Sequence, residues 1–271
     1  MNDIKTLPDS ERDIDKKAGH WVLAQLGKKV LRPGGKAMTQ AMLSGLAIGE
    51  QDDVVEFAPG MGFTANLCLQ KRPRSYTAIE QNEKAAQLVS QYLNGDRQIC
   101  LVGNAQSTCL SAECATVVYG EAMLTMQSDT KKQAIVDEAA RILRSGGRYG
   151  IHELCLVPNT LSDVQKRRIQ KEISDTIKHP AKPLSVQEWC DLLEGAGFEV
   201  VVEHVAPMHL LEPRRMIDDE GVLGFLRIAK NLILKPDARK RVFGMRRIFR
   251  KHRDHLAAVT LVAKKKEQHH V

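Results

Sequence analysis

The 271-residue sequence predicts an α/β fold, a doubly wound, seven-stranded and mostly parallel sheet with an antiparallel edge hairpin and inserted helices. Short β-rich runs around 54–57, 76–80, 98–102, 116–120 and 148–154 alternate with helical patterns such as Asn82 to Leu93 and Lys131 to Leu143. Parallel strands need crossover connections, and those are right-handed, so the economical arrangement covers both sheet faces with helices and places a ligand at the carboxyl ends of the strands. The closing order of helix, strand, helical excursion and strand supplies the antiparallel hairpin.

The elements follow in chain order. Lys36 to Leu46 is an amphipathic helix, and the loop Arg32-Pro33-Gly34-Gly35 before it can reach back over a ligand. The turn Arg144-Ser145-Gly146-Gly147 ends the Lys131 helix with glycine where positive φ is commonly required, and launches Arg148 to His152 as the fifth strand. Thr160 to Ile177 reads as a polar helix, a lid or substrate-facing insertion. Ser185 with Glu188 three residues on is a capping box, leading through Gly195-Ala196-Gly197 into the strand Phe198 to Val205. Residues 216–253 carry two helices parted near Lys235-Pro236-Asp237, and Leu256 to Ala263 is the last strand. The chain therefore reads as one domain over 1–271, with an N-terminal cap over 1–36 and helical insertions at about 156–184 and 212–254.

Composition narrows the class. No apolar run approaches the ~20 residues that span a bilayer, and the polar, mixed-charge start resembles neither a secretory signal nor a transit peptide, so a cytoplasmic protein is expected. Cys68, Cys100, Cys109, Cys114, Cys155 and Cys190 include no C-x-x-C pair; reduced and mostly buried thiols are expected, with no disulfide framework and no metal site. His269 and His270 read as tail residues, not metal ligands. Residues 205–271 hold 16 Lys/Arg against 7 Asp/Glu, a net +9 against +7 for the whole chain. A basic third of this kind can meet nucleic acid, an acidic substrate or an anionic membrane surface, or be a solvated helix face.

Chemistry concentrates after the first strand. In Asp53-Val54-Val55-Glu56-Phe57-Ala58-Pro59-Gly60-Met61-Gly62 an apolar strand with an acid near its end runs into a loop of small residues. Glycines let backbone approach a ligand closely, and the following helix N-terminus offers free N–H donors. Ala65 stands where a dinucleotide fingerprint has its third small residue, but Glu56 beside the loop would repel a pyrophosphate and suits a ligand amino group. That contrast favours S-adenosylmethionine (SAM) over NAD. Glu80 ends the second strand, Tyr76-Thr77-Ala78-Ile79-Glu80, with Gln81 next, roughly twenty residues beyond the loop, where a carboxylate can bind both ribose hydroxyls.

On these residues the chain, from about Lys36 to Ala263, resembles the seven-stranded class I SAM-dependent methyltransferases. The resemblance implies that the loop Phe57, Ala58, Pro59, Gly60 and Gly62 passes beneath the methionine part of the cofactor, with Glu56 near its amino group and Glu80 on the ribose. Gly103-Asn104-Ala105 matches the place where the family has an acid and a small residue reading adenine; Asn104 keeps the carbonyl acceptor without the charge. Val117 to Leu124, with Gly120 and Glu121, matches the fourth-strand motif at the methyl-transfer end. Together with Ala139 to Gly147 it resembles the ubiquinone and menaquinone C-methyltransferase-like branch, which acts mainly on small molecules. The segment from Arg32 to Thr39 is similar to one that closes over the cofactor, which adds Gly35 and Thr39 as cofactor contacts.

Glu121, His152 and Glu153 sit at the ends of the fourth and fifth strands and are the candidate catalytic residues, as base or substrate orienter. Met208, His209, Met216 and Phe225 are candidates to line an apolar acceptor pocket, or to pack as core. The leading expectation is a methyltransferase acting on a small-molecule acceptor. An RNA or protein methyltransferase using the basic C-terminal helices is the alternative, a non-catalytic SAM-binding protein the next, and a homo-oligomer remains open; the acceptor is not legible.

Overall fold

The computed structural model describes residues 8, 11 and 13–267. Its sheet runs β3-β2-β1-β4-β5-β8-β7, from β1 (Asp53–Phe57), β2 (Ser75–Glu80), β3 (Gln98–Val102), β4 (Ala115–Glu121), β5 (Leu143–Leu156), β7 (Phe198–Pro207) and β8 (Leu256–Lys265), while the two-residue β6 (Leu184–Ser185) pairs with β5. β1 to β5 are parallel; β8 inserts antiparallel between β5 and β7. The mostly parallel sheet with an antiparallel edge expected from the alternation is therefore the fold.

Helices α2 (Gly35–Gly45), α3 (Phe63–Leu69) and α4 (Glu83–Ser90) cover one face, where Met42, Leu46, Tyr76, Tyr119 and Val262 are fully buried. On the other face α5 (Asp129–Ile142) and α7 (Val186–Gly195) pack around Phe57, Tyr149, Trp189 and Phe198. Trp189 is fully buried and its indole N–H donates to the Leu154 carbonyl at 3.2 Å, satisfying the one polar atom that such a ring brings into a core. Local signals set the helix starts: Asn82 accepts from the Ala85 amide, Ser128 from Lys131, and Ser185 forms the expected capping box with Glu188.

A third apolar cluster lies beyond the carboxyl ends of the strands. There α1 (Gly19–Gln25), α6 (Asp163–Ile177), α8 (Pro213–Leu234) and α9 (Pro236–Lys251) meet Leu154, Leu156 and Leu256 at the end of the β5–β8 pair. These helices form a cap above the edge where ligands bind in doubly wound sheets. Pro236 opens α9 as expected, and α8 bends at Gly221, whose φ of 72° and ψ of 169° are not helical.

Two expectations need correction. The Arg144–Gly147 turn does not precede the fifth strand but sits inside it as a bulge: Ala115 pairs with Leu143 and Val117 with Arg148, so the four residues between lie opposite Thr116 alone, with Gly146 at φ 71°. The thiols are also less buried than expected. All six cysteines are free, but only Cys68 and Cys155 are buried; Cys109 is exposed on a loop and Cys100 lies on the edge strand β3. Among the described residues no group of His, Cys, Asp or Glu could hold a metal ion, and no helix is long and apolar enough to cross a membrane. His269 and His270 lie outside the described residues.

Candidate functional site

A cleft of about 350 Å³ opens at the carboxyl ends of β1, β2 and β4 beneath the cap. Glu56, Ala58, Pro59, Gly60, Glu80, Gln81, Asn104, Ala105 and Glu121 line it. The two glycines hold left-handed conformations, φ 58° at Gly60 and 76° at Gly62. A Cβ at Gly60 would meet nothing closer than 4.0 Å, so the loop presents bare backbone to the cleft; at Gly62 it would lie 2.7 Å from the Tyr92 ring. The first glycine therefore serves an approach from above and the second a packing contact from behind.

Glu80 organises this loop. Its carboxylate accepts the Gly60 amide at 3.0 Å and the Asn82 amide at 2.9 Å, which fixes it at the end of β2 with 7% of its surface exposed. Glu56 is held differently: it is buried at the floor, and the hydroxyls of Tyr76 (2.5 Å) and Tyr119 (2.7 Å) both donate to Oε2. Burial pushes this carboxyl up to about 7 against the opposing pull of the two hydroxyls, with the nearby Glu121 adding to the rise. A buried carboxyl lacking a full countercharge suits a ligand cation.

At the transfer end Glu121 is the centre of a polar cage. Oε1 accepts from Thr39 Oγ1 at 2.7 Å and faces His152 Nδ1 at 2.7 Å; Oε2 accepts from Thr64 Oγ1 at 2.5 Å and pairs with the Arg32 guanidinium, which also lies 5.0 Å over the Phe63 ring. Burial alone would raise this carboxyl, but Arg32 and His152 outweigh it and hold it down at about 2. The other ring nitrogen of His152 faces the Pro33 carbonyl at 2.6 Å. Both partners are acceptors only, so the two bonds form together only when both ring nitrogens carry a proton.

A family model described as a methyltransferase domain matches residues 55–151, the span from β1 into β5 that contains this loop and Glu80. An uncharacterized protein of Haemophilus influenzae is 31% identical over 248 residues, 89% of this chain and 96% of its own length. Residues 55–151 carry a methyltransferase domain, and the chain is a SAM-dependent methyltransferase. The methyltransferase also shares its fold with the MccD protein (TM-score 0.65, 17% identity, 87% of this chain and 99% of that one). A geranyl diphosphate methyltransferase solved with its diphosphate and sinefungin is similar in fold as well (TM-score 0.61, 15% identity, 84% and 77%). So is the Haemonchus contortus phosphoethanolamine N-methyltransferase 2 solved with S-adenosyl-L-methionine (TM-score 0.67, 15% identity, 92% and 57%).

Several residues singled out in the sequence stand away from the cleft of the methyltransferase. Phe57, Gly62 and Gly120 back the lining without entering it, and Thr39 reaches it only through Glu121. Gly35 faces α8, where a Cβ would lie 2.3 Å from an Asp219 oxygen. His152 is fully buried behind Glu121. Glu153 is also fully buried, and its carboxylate accepts the amides of Met123, Leu124 and Thr125 at 2.8–3.0 Å and the Thr125 hydroxyl at 2.7 Å, so it shapes the turn after β4. Of the downstream residues Met208 alone lines a cavity, the smaller one beneath the cap; His209, Met216 and Phe225 line neither cavity. The sequence signalled a cap over 1–36 but not which residues of it and of the helical insertion reach the cleft: His20, Trp21, Lys29, Leu31 and His179 all line it. They belong to no motif, and only tertiary packing brings α1 over the sheet edge.

Proposed function

We propose that the methyltransferase methylates a small-molecule acceptor within this roofed cleft. The observation that carries the reading is the roof itself. His20, Trp21, Lys29 and Leu31 line the same cavity as Gly60, Glu80 and Glu121, so an acceptor bound beside Glu121 lies against α1 and the segment that follows it. The roof is tied down: Asp219 accepts the Lys36 amide at 2.9 Å, Glu220 accepts the Lys29 and Val30 amides at 2.8 and 2.9 Å, and Lys28 pairs with Asp219 at 3.3 Å. The resemblance of Val117 to Leu124 together with Ala139 to Gly147 to the ubiquinone and menaquinone C-methyltransferase-like branch supports the same class of acceptor.

The residues fit SAM. The bare backbone at Gly60 suits the methionine portion, Glu56 its ammonium, Glu80 with Gln81 the ribose hydroxyls, and Ala105 with Asn104 the adenine. When bound, the cofactor supplies a methyl group on a sulfonium, a good leaving group. The chain supplies positioning and exclusion of water, which can carry much of such a rate. Glu121 holds Arg32 over the cleft, and His152 holds both Glu121 and the Pro33 carbonyl, so we assign this cage to loop closure and not to proton removal. Glu153 holds the turn at Met123 to Thr125 and is likewise a positioning residue.

The test is transfer from isotopically labelled methyl SAM into a cell extract followed by size fractionation. Label is expected below 1 kDa, an order-of-magnitude boundary of roughly a small ligand. Label in RNA or protein would instead support the reading built on the exposed basic residues Arg227, Lys230, Arg239, Lys240 and Arg247 of α8 and α9.

A further inference from the structure

A second cavity, of about 90 Å³, adjoins the cleft beneath the cap. His20, Leu31, Ala122 and Met126 line both, so the two spaces share a wall at the transfer end. Its depth is apolar, walled by Leu23 of α1, Ile173 and Ile177 of α6, Met208 after β7, and Met245 and Phe249 of α9. Besides His20 the lining holds one polar side chain, Thr125, whose hydroxyl already donates to Glu153 at 2.7 Å. The cations of the cleft, Arg32, Lys29 and Lys131, do not line this cavity.

His20 is the exception in this lining. Its ring lies 4.8 Å from Trp21 and 6.1 Å from His179, but among the described residues neither of its nitrogens has a hydrogen-bond partner. Burial, and then the neighbouring His179, hold the imidazole down to about 4. It is therefore neutral near pH 7 and offers one lone pair and one N–H. An apolar cavity with a single free imidazole at its mouth matches a ligand with one protic group on an apolar body. The cavity is small, about 90 Å³, and apart from Phe249 its deep walls are aliphatic or thioether side chains, which suits a short alkyl chain.

We propose that the acceptor is a short aliphatic compound bearing one uncharged protic group, its chain seated between α1, α6 and α9 and its protic group held by the His20 ring at the junction of the two cavities. This deepens the small-molecule reading above and rests on it. His20 here orients the acceptor head; the methyl group is not routed through it.

The experiment uses the full chain saturated with S-adenosylhomocysteine (SAH) and follows the fluorescence of Trp21. The other tryptophan, Trp189, is fully buried and lines neither cavity. The probes are 1-hexanol, its methyl ether, phenol and phosphoethanolamine. Saturable binding of 1-hexanol is expected, at least fivefold tighter than its methyl ether, which has no proton to donate to the imidazole. His20→Phe should erase that preference. Ile177→Asp, at the half-exposed end of α6, and the milder Phe249→Ala should each weaken 1-hexanol at least tenfold while SAH affinity holds within twofold. Tighter binding of phenol or phosphoethanolamine, or indifference to both cavity substitutions, overturns the proposal. In parallel, label from tritiated methyl SAM in a cell extract should enter the solvent-extractable fraction. Label confined to water-soluble compounds overturns the acceptor class and leaves small-molecule transfer standing; label only in macromolecules overturns both.

Discussion

Glu56 gives the most direct test of how the cleft receives its cofactor. Its carboxyl stands at about 7, raised from an ordinary 4.5 mainly by burial. Holding it ionised at that site without a cation therefore costs about 3 kcal/mol. The sign for stability follows. Because the folded state binds this proton more tightly than the unfolded chain, the stabilisation is fully present below 4.5 and is lost as pH rises through about 7. A ligand ammonium reverses the balance by favouring the carboxylate, so binding at pH 6 expels the proton. With an unliganded value of about 7, SAH should bind roughly eightfold more weakly at pH 6.0 than at pH 7.5, with nearly one proton released per site at the lower pH. Calorimetry in two buffers of different ionisation enthalpy measures both quantities. Glu56→Gln, which keeps an acceptor for Tyr76 or Tyr119, should flatten the pH dependence and abolish the proton release. Equal affinities at the two pH values with no proton released would refute the assignment of Glu56 to the ammonium.

Three further outcomes follow from the same geometry. Glu80→Gln weakens the two amide bonds that hold Gly60 and Asn82 and removes the charge we assign to the ribose; at about 1.5–3 kcal/mol for a hydrogen bond to a charged group, SAH affinity should fall by tenfold or more in calorimetry. His152→Gln loses one of the two buried hydrogen bonds that join Glu121 to the Pro33 carbonyl, which should lower stability by about 1–3 kcal/mol in denaturant unfolding and speed proteolysis at residues 28–36, while the shape of the pH–rate profile stays unchanged. Glu153→Gln leaves at least one of the Met123, Leu124 and Thr125 amides without its acceptor and should cost about 1–3 kcal/mol, read as a lowered Tm with SAH affinity retained.

The parts of the site legible from sequence are those made by local rules. A strand, a glycine loop and a helix start are contiguous, so Glu56 to Gly62 announces both its conformation and its place at the sheet edge, and Glu80 follows one βα unit later. His152 and Glu153 stand back from the cleft for a long-range reason. Ending the fifth strand near 154 put them at the ligand edge, but β8, a hundred residues on, pairs with β5 from Arg148 to Leu156 and carries the sheet past them. They therefore lie within the sheet and, as neighbours on a strand, face opposite sides: His152 toward Pro33 and Glu121, Glu153 toward the turn at Met123 to Thr125. A cap over 1–36 was legible, but the same long-range packing hid which of its side chains meet the cleft, since nothing local to Gly19–Gln25 marks His20 or Trp21 as roof residues.

The strand register and the charge cage explain together why the transfer end holds so few free polar groups. Glu121 and His152 are paired partners on β4 and β5, so their side chains meet without loop rearrangement and can be fixed before any ligand arrives. Glu121 bonds Thr39, Thr64, Arg32 and His152 at once, which leaves its oxygens saturated and its carboxyl at about 2, too weak a base to take a proton near neutral pH. Arg32 is thereby held at the start of the α2 approach, and Pro33 is held by His152 on the same loop. The cage converts two strand residues into a fastening for the segment that covers the cleft. Chemistry at this end then depends on what the roof encloses more than on a dedicated base, which is why the unpartnered ring of His20, not the acids of the strand ends, is the polar group placed at the junction of the two cavities.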